Sequence, residues 1–236
     1  MSESVSREQG ALASRGMTKS YMTRFYELHM TLRGGVTVLK AAFFNRDPRR
    51  VARSLLGKIL LRKTPDGLLA GRIVETEAYL GEGDAAAHAA AGQTERNAVL
   101  FGPPGHAYVY FIYGNHYCMN VSCLPDGVPG GVLFRALQPV AGIEQMAEAR
   151  GIAKSDLRKI SSLRKISSGP GRMSEALGIT RARDNGKSLM NPRSDLRIVD
   201  DGYRVRRAMV TPRIGIVKSA EQPLRYFIAG NPFVSG

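Results

Sequence analysis

The sequence predicts an α+β fold: a single compact domain with a mixed or antiparallel sheet, a protruding β-hairpin and surrounding helices. Three observations lead there. Segments with strand periodicity crowd the middle of the chain at 68–79, 108–113, 117–122 and 132–137, while helix-spaced apolar residues lie mostly to either side. Strands and helices therefore do not alternate strictly, as a doubly wound parallel sheet requires. With 236 residues and 43% hydrophobic side chains, the chain can bury one large core.

The elements follow in order. Residues 1–42 mix Ser, Gly, Arg and Glu around Met17, Met22 and Met30 without a sustained period, and are expected to be a poorly ordered extension or an over-long translation start. The domain proper is expected over 43–236. Asp47 and Pro48 open a helix carrying Val51, Leu55, Leu56 and Ile59, interrupted near Gly57. Pro65, Asp66 and Gly67 form a turn into the strand at 68–79. Another turn at 102–105 (GPPG) precedes two β-rich runs separated by Gly114, Asn115 and His116, a hairpin signal because glycine accepts the positive φ of a tight loop. The strand at 132–137 is expected to stop at Pro139, and Ile143, Met146 and Ala147 mark a short helix ending at Gly151. A helix at 173–177 capped by Gly178 and strands near 213–217 and 224–228 complete the chain. The hexad LRKISS at 157–162 is repeated at once at 163–168. Its apolar positions recur every three residues, and such a row drifts by roughly 60° per step on an α-helix, so a mobile basic loop is expected.

Charge narrows the function. Lys and Arg number 34 against 20 Asp and Glu, a formal +14 that points to a polyanionic partner or an anionic membrane surface. No apolar run approaches the about 18 residues of a membrane span. Cys118 and Cys123 are too few for a disulfide framework or a four-thiolate metal site, so a cytoplasmic, metal-free protein is expected. The basic excess is not uniform. Residues 71–139 hold three basic against six acidic side chains, whereas 151–172 hold six basic against one acidic and 181–207 eight against four. A carboxylate-bearing centre between basic arms suits an enzyme that grips a polyanion and works through an acid.

Within 72–79 (RIVETEAY) the strand period puts Glu75, Glu77 and Tyr79 on one face and Val74, Thr76 and Ala78 on the other. Six of the 17 Phe and Tyr residues then fall between Phe101 and Tyr117, offering flat faces for a base and polar tips for its edge. His88 follows in a Gly- and Ala-rich stretch.

Together, 72–80 (RIVETEAYL), 84–88 (DAAAH), 93–97 (QTERN), 108–114 (YVYFIYG), 118–122 (CMNVS), 134–137 (FRAL) and 168–170 (SGP) resemble the alkyladenine, or 3-methyladenine, DNA glycosylase family, and the likeness runs in order from Val51 to Ser235. The resemblance implies a single α+β domain acting as a monomer on double-stranded DNA, without membrane, metal or cofactor. The expected activity is that of a monofunctional base-excision-repair enzyme: it flips alkylated or deaminated purines, such as N3-methyladenine, N7-methylguanine, hypoxanthine and ethenoadenine, out of the duplex and hydrolyses the N-glycosidic bond. The expected location is the cytoplasm, or the nucleoid of a prokaryote. Carried over residue by residue, Glu77 is the general base for the attacking water, Arg135 and the carbonyl of Ile216 help to hold that water, and Glu75 has no assigned role. Tyr79 and His88 form one wall of the base pocket and Tyr110 the other. Asn120 crowds the amino group of normal guanine, and Tyr113 wedges into the minor groove. Thr94, Arg96 and Arg172 are expected on the DNA backbone, with the duplicated hexad adding a diffuse contribution. Two rivals differ in what they need: a single-strand binding module would use Tyr110 and Tyr113 but not Glu77, and a sugar hydrolase would pair Glu75 with Glu77, about 7 Å apart on one strand face. A glycosylase with lyase activity would need an amine nucleophile.

Overall fold

The computed structural model describes residues 35–112 and 114–236. Its trunk is one long strand. β3 (Gly67–Tyr79) pairs along one edge with β6 (Gly131–Ala141); its other edge takes β2 (Ile59–Thr64) against the first half and β9 (Arg225–Ile228) against Glu75–Glu77. Beyond β2 lie β7 (Leu196–Asp200) and β1 (Thr37–Val38), and beyond β6 lie β5 (His116–Ser122) and then β4 (Ala107–Ile112). β8 (Ala208–Thr211) pairs only with β9. All these pairings are antiparallel.

The β3–β6 register slips between Ile73 and Glu75 and again between Glu75 and Thr76, and such bulges bend a strand. The bend falls at Glu75, two residues before Glu77. Below it, Val74 and Ala78 face the main core, where α2 (Pro48–Leu55) buries Val51, Ala52 and Leu55. Asp47 caps α2 by accepting the Arg49 amide at 2.8 Å, Pro48 fills the first turn where no amide is needed, and the Thr76 hydroxyl donates to the Ala52 carbonyl at 3.0 Å. The period of two also splits β4: Ala107 and Val109 join the main core, while Tyr108 and Tyr110 turn to a second cluster with Ala89, Leu100, Cys118 and Leu133.

Helices α3 (Ile143–Ala149), α4 (Ile160–Ser167) and α5 (Pro170–Ala176) bury Ile143, Met146, Leu163, Ile166 and Met173 in the main core, and α1 (Ala41–Phe44) and α6 (Arg181–Asp184) are single turns. Gly171 lets α5 approach the hairpin: a Cβ there would stand 3.0 Å from the His116 ring.

Several expectations change. Thr37 and Val38 pair with β7 and Ala41 starts α1, so 35–42 is sheet and helix; residues 1–34, which held most of the expected extension, lie outside the described residues. Ile59 opens β2 rather than continuing α2, because the chain turns at Gly57, where φ is +85°. Pro139 does not end β6. It stands opposite Gly71 beside a slip in register, the kind of irregularity at which a sheet tolerates proline. The strand expected at 213–217 is β8 at Ala208–Thr211, and residues 212–217 form a loop. The hexad repeat is not a loop: Leu157 is buried in a 3-10 turn (Lys154–Arg158), and α4 carries Leu163 and Ile166 inward while Ile160 stays 48% exposed. The chain breaks at Lys159, inside the first copy, so Leu157 is separated from the helix and no single helix has to hold the whole drifting row.

Candidate active site

Glu75 and Glu77 share the face of β3 opposite Val74 and Ala78, and both are fully buried. Two carboxylates cannot remain there uncompensated. Arg135, on β6, reaches both, with Nη1 3.1 Å from Glu77 Oε1 and Nε 3.3 Å from Glu75 Oε1. Glu75 is otherwise committed to the end of the fold: Arg225 Nε donates to its Oε1 at 2.6 Å and the Ser235 amide to its Oε2 at 2.7 Å. Glu77 faces the other way. Its Oε1 accepts the Ile214 amide at 2.8 Å and its Oε2 the Tyr79 hydroxyl at 3.0 Å. Burial, the Glu77 charge and this hydrogen bond hold the Tyr79 phenol far above its usual range, so Tyr79 remains a donor to Glu77.

In front of this pair opens a cavity of about 360 Å³, lined by Tyr79, His88, Tyr110, Asn120, Arg135 and Ile216 among others, within the size range of small-ligand pockets. Glu77 stands behind Tyr79, Arg135 and Ile214, all three on the wall. One side is aromatic: the His88 ring meets Tyr110 edge-on at 4.5 Å, and Tyr110 stacks on Tyr108 at 5.1 Å. His88 Nδ1 is 2.9 Å from the Tyr108 hydroxyl. Partial burial of the ring, with the Arg96 charge, lowers the His88 pKa, so the imidazole is neutral at physiological pH. Tyr110 is pushed up by burial and stays a phenol, and burial raises the Cys118 thiol on the wall to about 11. The Asn120 side-chain oxygen is buried without a hydrogen-bond partner among the described residues.

Six of the site residues named from sequence thus share one cavity wall, with Glu77 directly behind it. Ile216 lines the cavity, but the backbone group that touches Glu77 is the Ile214 amide. Thr94, Arg96 and Arg172 are exposed, and Tyr113 lies outside the described residues. Sequence reasoning missed the pins that shape the walls. Asp84 and Arg213, both fully buried at the side chain, form a two-pronged ion pair at 2.6 and 2.8 Å, and Asp84 also accepts the Leu80 and Ala86 amides. Burial works to raise the Asp84 pKa, but Arg213 and these amides hold it below the usual carboxylate range. Arg213 also stands over the Tyr79 ring at 4.6 Å. Asn97 donates to the carbonyls of His88 and Gly92 and accepts the Thr94 amide. Asp84 and Asn97 lie inside quoted motifs, but their side-chain roles have no local signature. Among the described residues, no three or more His, Cys, Asp or Glu side chains converge as a metal site would require.

The Methylpurine-DNA glycosylase (MPG) family model matches residues 42–232. A protein of Koribacter versatilis (strain Ellin345) named "Putative 3-methyladenine DNA glycosylase" is 66% identical over 198 residues, 84% of this chain and 93% of its own length. Proteins given the same name in Burkholderia cenocepacia (strain HI2424) and Methanocella arvoryzae (strain DSM 22066 / NBRC 105507 / MRE50) are 48% and 44% identical over 201 residues, covering 85% and 84% of this chain and 92% and 96% of their own. A match of this extent, over a domain whose buried acid pair and aromatic cavity come from the motif strands, assigns the chain to the methylpurine-DNA glycosylase family.

Proposed function

We propose that the protein is a monofunctional DNA glycosylase of base-excision repair, which takes alkylated or deaminated purines out of duplex DNA and hydrolyses their N-glycosidic bond. The observation that carries this reading is the buried Glu77, bound to Arg135, Tyr79 and Ile214, three residues that line an aromatic cavity of purine-compatible size. A base inside a duplex keeps its C1′ out of reach, so the nucleotide is extruded and its base enters the cavity that Tyr79, His88 and Tyr110 line, where His88 stands against Tyr110 rather than across the pocket from it as the sequence suggested. Alkylation at N3 or N7 gives the ring a positive charge. That charge is attracted by π faces and makes the base a better leaving group, so lesions are selected without reading sequence. Asn120, near the floor, disfavours the amino group of normal guanine. Glu77 takes a proton from the water as its oxygen attacks C1′; the C1′–N bond breaks and its electron pair leaves with the base, which neutralises an alkylated cation, whereas a deaminated base leaves as an anion and takes up a proton from solvent water. Arg135 and the Ile216 carbonyl position that water. Tyr113 fills the gap in the duplex, and Thr94, Arg96 and Arg172 contact phosphates.

The test is release of free base from duplexes carrying hypoxanthine, ethenoadenine or N3-methyladenine. Glu77→Gln is expected to lose about 10² to 10⁴ in single-turnover rate while still binding the lesion duplex. More than a tenth of the wild-type rate in this variant would assign the base elsewhere.

A further inference from the structure

The two copies of the duplicated hexad differ in their surroundings. In the first, Arg158 and Lys159 are exposed at the end of the 3-10 turn. In the second, Arg164 and Lys165 line a cleft of about 460 Å³ together with Ser161, Ser168, Arg172 and Gly236. No Asp or Glu side chain lines this cleft among the described residues. Arg164 is tethered by a hydrogen bond from Nη2 to the Val234 carbonyl at 3.3 Å, Arg172 donates to the Ser168 carbonyl at 3.3 Å, and Lys165 meets no partner among the described residues. Three cations are thus held around a hollow rather than spread over a face, at the cost of their mutual repulsion. Two hydroxyl-bearing serines join them.

The cleft adjoins the base cavity. Pro170 lines the base cavity, while Ser168 and Arg172, two residues to either side, line the cleft. The ring of His116, at the foot of the hairpin, packs against Gly171 in the first turn of α5, which sets this helix end against the hairpin.

We infer that the second hexad copy builds a phosphodiester site: Arg164 and Lys165, with Arg172, hold a backbone phosphate of the strand that carries the extruded nucleotide. The inference rests on the DNA-glycosylase reading. A dianionic ligand such as a free phosphate would meet the same groups, but continuity with the base cavity selects the DNA backbone.

The experiment compares Arg164→Gln/Lys165→Gln with Arg158→Gln/Lys159→Gln, which remove the same charge one hexad apart. The readout is the slope of log Kd against log salt on one hypoxanthine duplex. The second-copy variant is expected to lose up to about 0.9 from that slope, the value for one phosphate, and the first-copy variant less than half as much. Lys165→Gln alone, which leaves the Arg164 tether intact, is expected to lose a smaller but measurable part. A duplex with one neutral methylphosphonate beside the lesion should abolish the difference between wild type and the second-copy variant. Equal slope losses from the two double variants, or an insensitive methylphosphonate series, overturn the site. Base release is read in parallel. Absent release with unequal slopes overturns the glycosylase reading and leaves the phosphate site standing; normal release with equal slopes overturns the site alone.

Discussion

Arg135 is the hinge of the site's electrostatics, because one guanidinium serves two buried acids that face opposite ways. Glu75 is therefore a positioning residue: it holds the Nε side of Arg135 so that Nη1 can reach Glu77. Glu75→Gln keeps the shape but removes the charge that offsets Arg225 and part of Arg135. It is expected to destabilise the protein by about 1–3 kcal/mol, the range for hydrogen bonds to charged groups, and to slow base release at saturating enzyme. Denaturant midpoints and single-turnover rates check this; unchanged values in both would leave Glu75 without a positioning role. The shared face of Glu75, Glu77 and Tyr79 was legible because a strand alternates side chains regardless of what surrounds it. What Glu75 does was not, since its partners Arg225 and Ser235 lie 150 and 160 residues away.

At the scale of elements, two loops form much of the cavity wall and one ion pair joins them. Asp84 fixes the segment after β3, and Arg213 fixes 212–217, the loop that delivers the Ile214 amide to Glu77. Removing one partner of a buried pair leaves the other uncompensated, so Asp84→Asn is expected to cost about 3–5 kcal/mol of stability in urea unfolding. Base release should fall along with it, since Tyr79 loses the Arg213 cation above its ring. The strands of the motif region were legible from alternation and turn residues. β2 and β7 were not: Ile59, which opens β2, keeps the helical spacing of the apolar row across Gly57, and 196–200 lie within a run of basic residues. The helix of the second hexad was obscured because its buried pair, Leu163 and Ile166, is only half of the apolar row that the sequence displays. The Asp84–Arg213 contact spans 129 residues and leaves no periodic trace.

For the whole molecule, a formal +14 makes DNA association salt-sensitive, and Arg172→Gln is expected to lower the slope of log Kd against log salt by about 1 while weakening lesion and undamaged duplexes alike. Equal affinity of this variant and wild type across salt would remove Arg172 from the backbone contacts. Stability should depend on acid in two stages. The His88 pKa is lowered on folding, so below the ordinary value of 6.5 the unfolded chain takes up this proton first and stability declines; His88→Asn should flatten that stage. Asp84, Asp195, Asp200 and Asp201 sit below 3.8 in the folded protein, where paired cations overcome burial. Their contribution is fully present above about pH 3.8 and is lost as pH falls through the folded values, giving a steep second stage; urea midpoints across pH measure both. The clamp on Glu75 also bears on synthesis. In synthesis Arg225 and Ser235 follow every strand that carries Glu75, Glu77 or Arg135, so a prematurely terminated chain holds Glu75 and Arg135 without the groups that fix them. A chain cut short before Arg225 is therefore expected to release no base even where Glu77 and Arg135 are both present, because the strand that steadies them is missing.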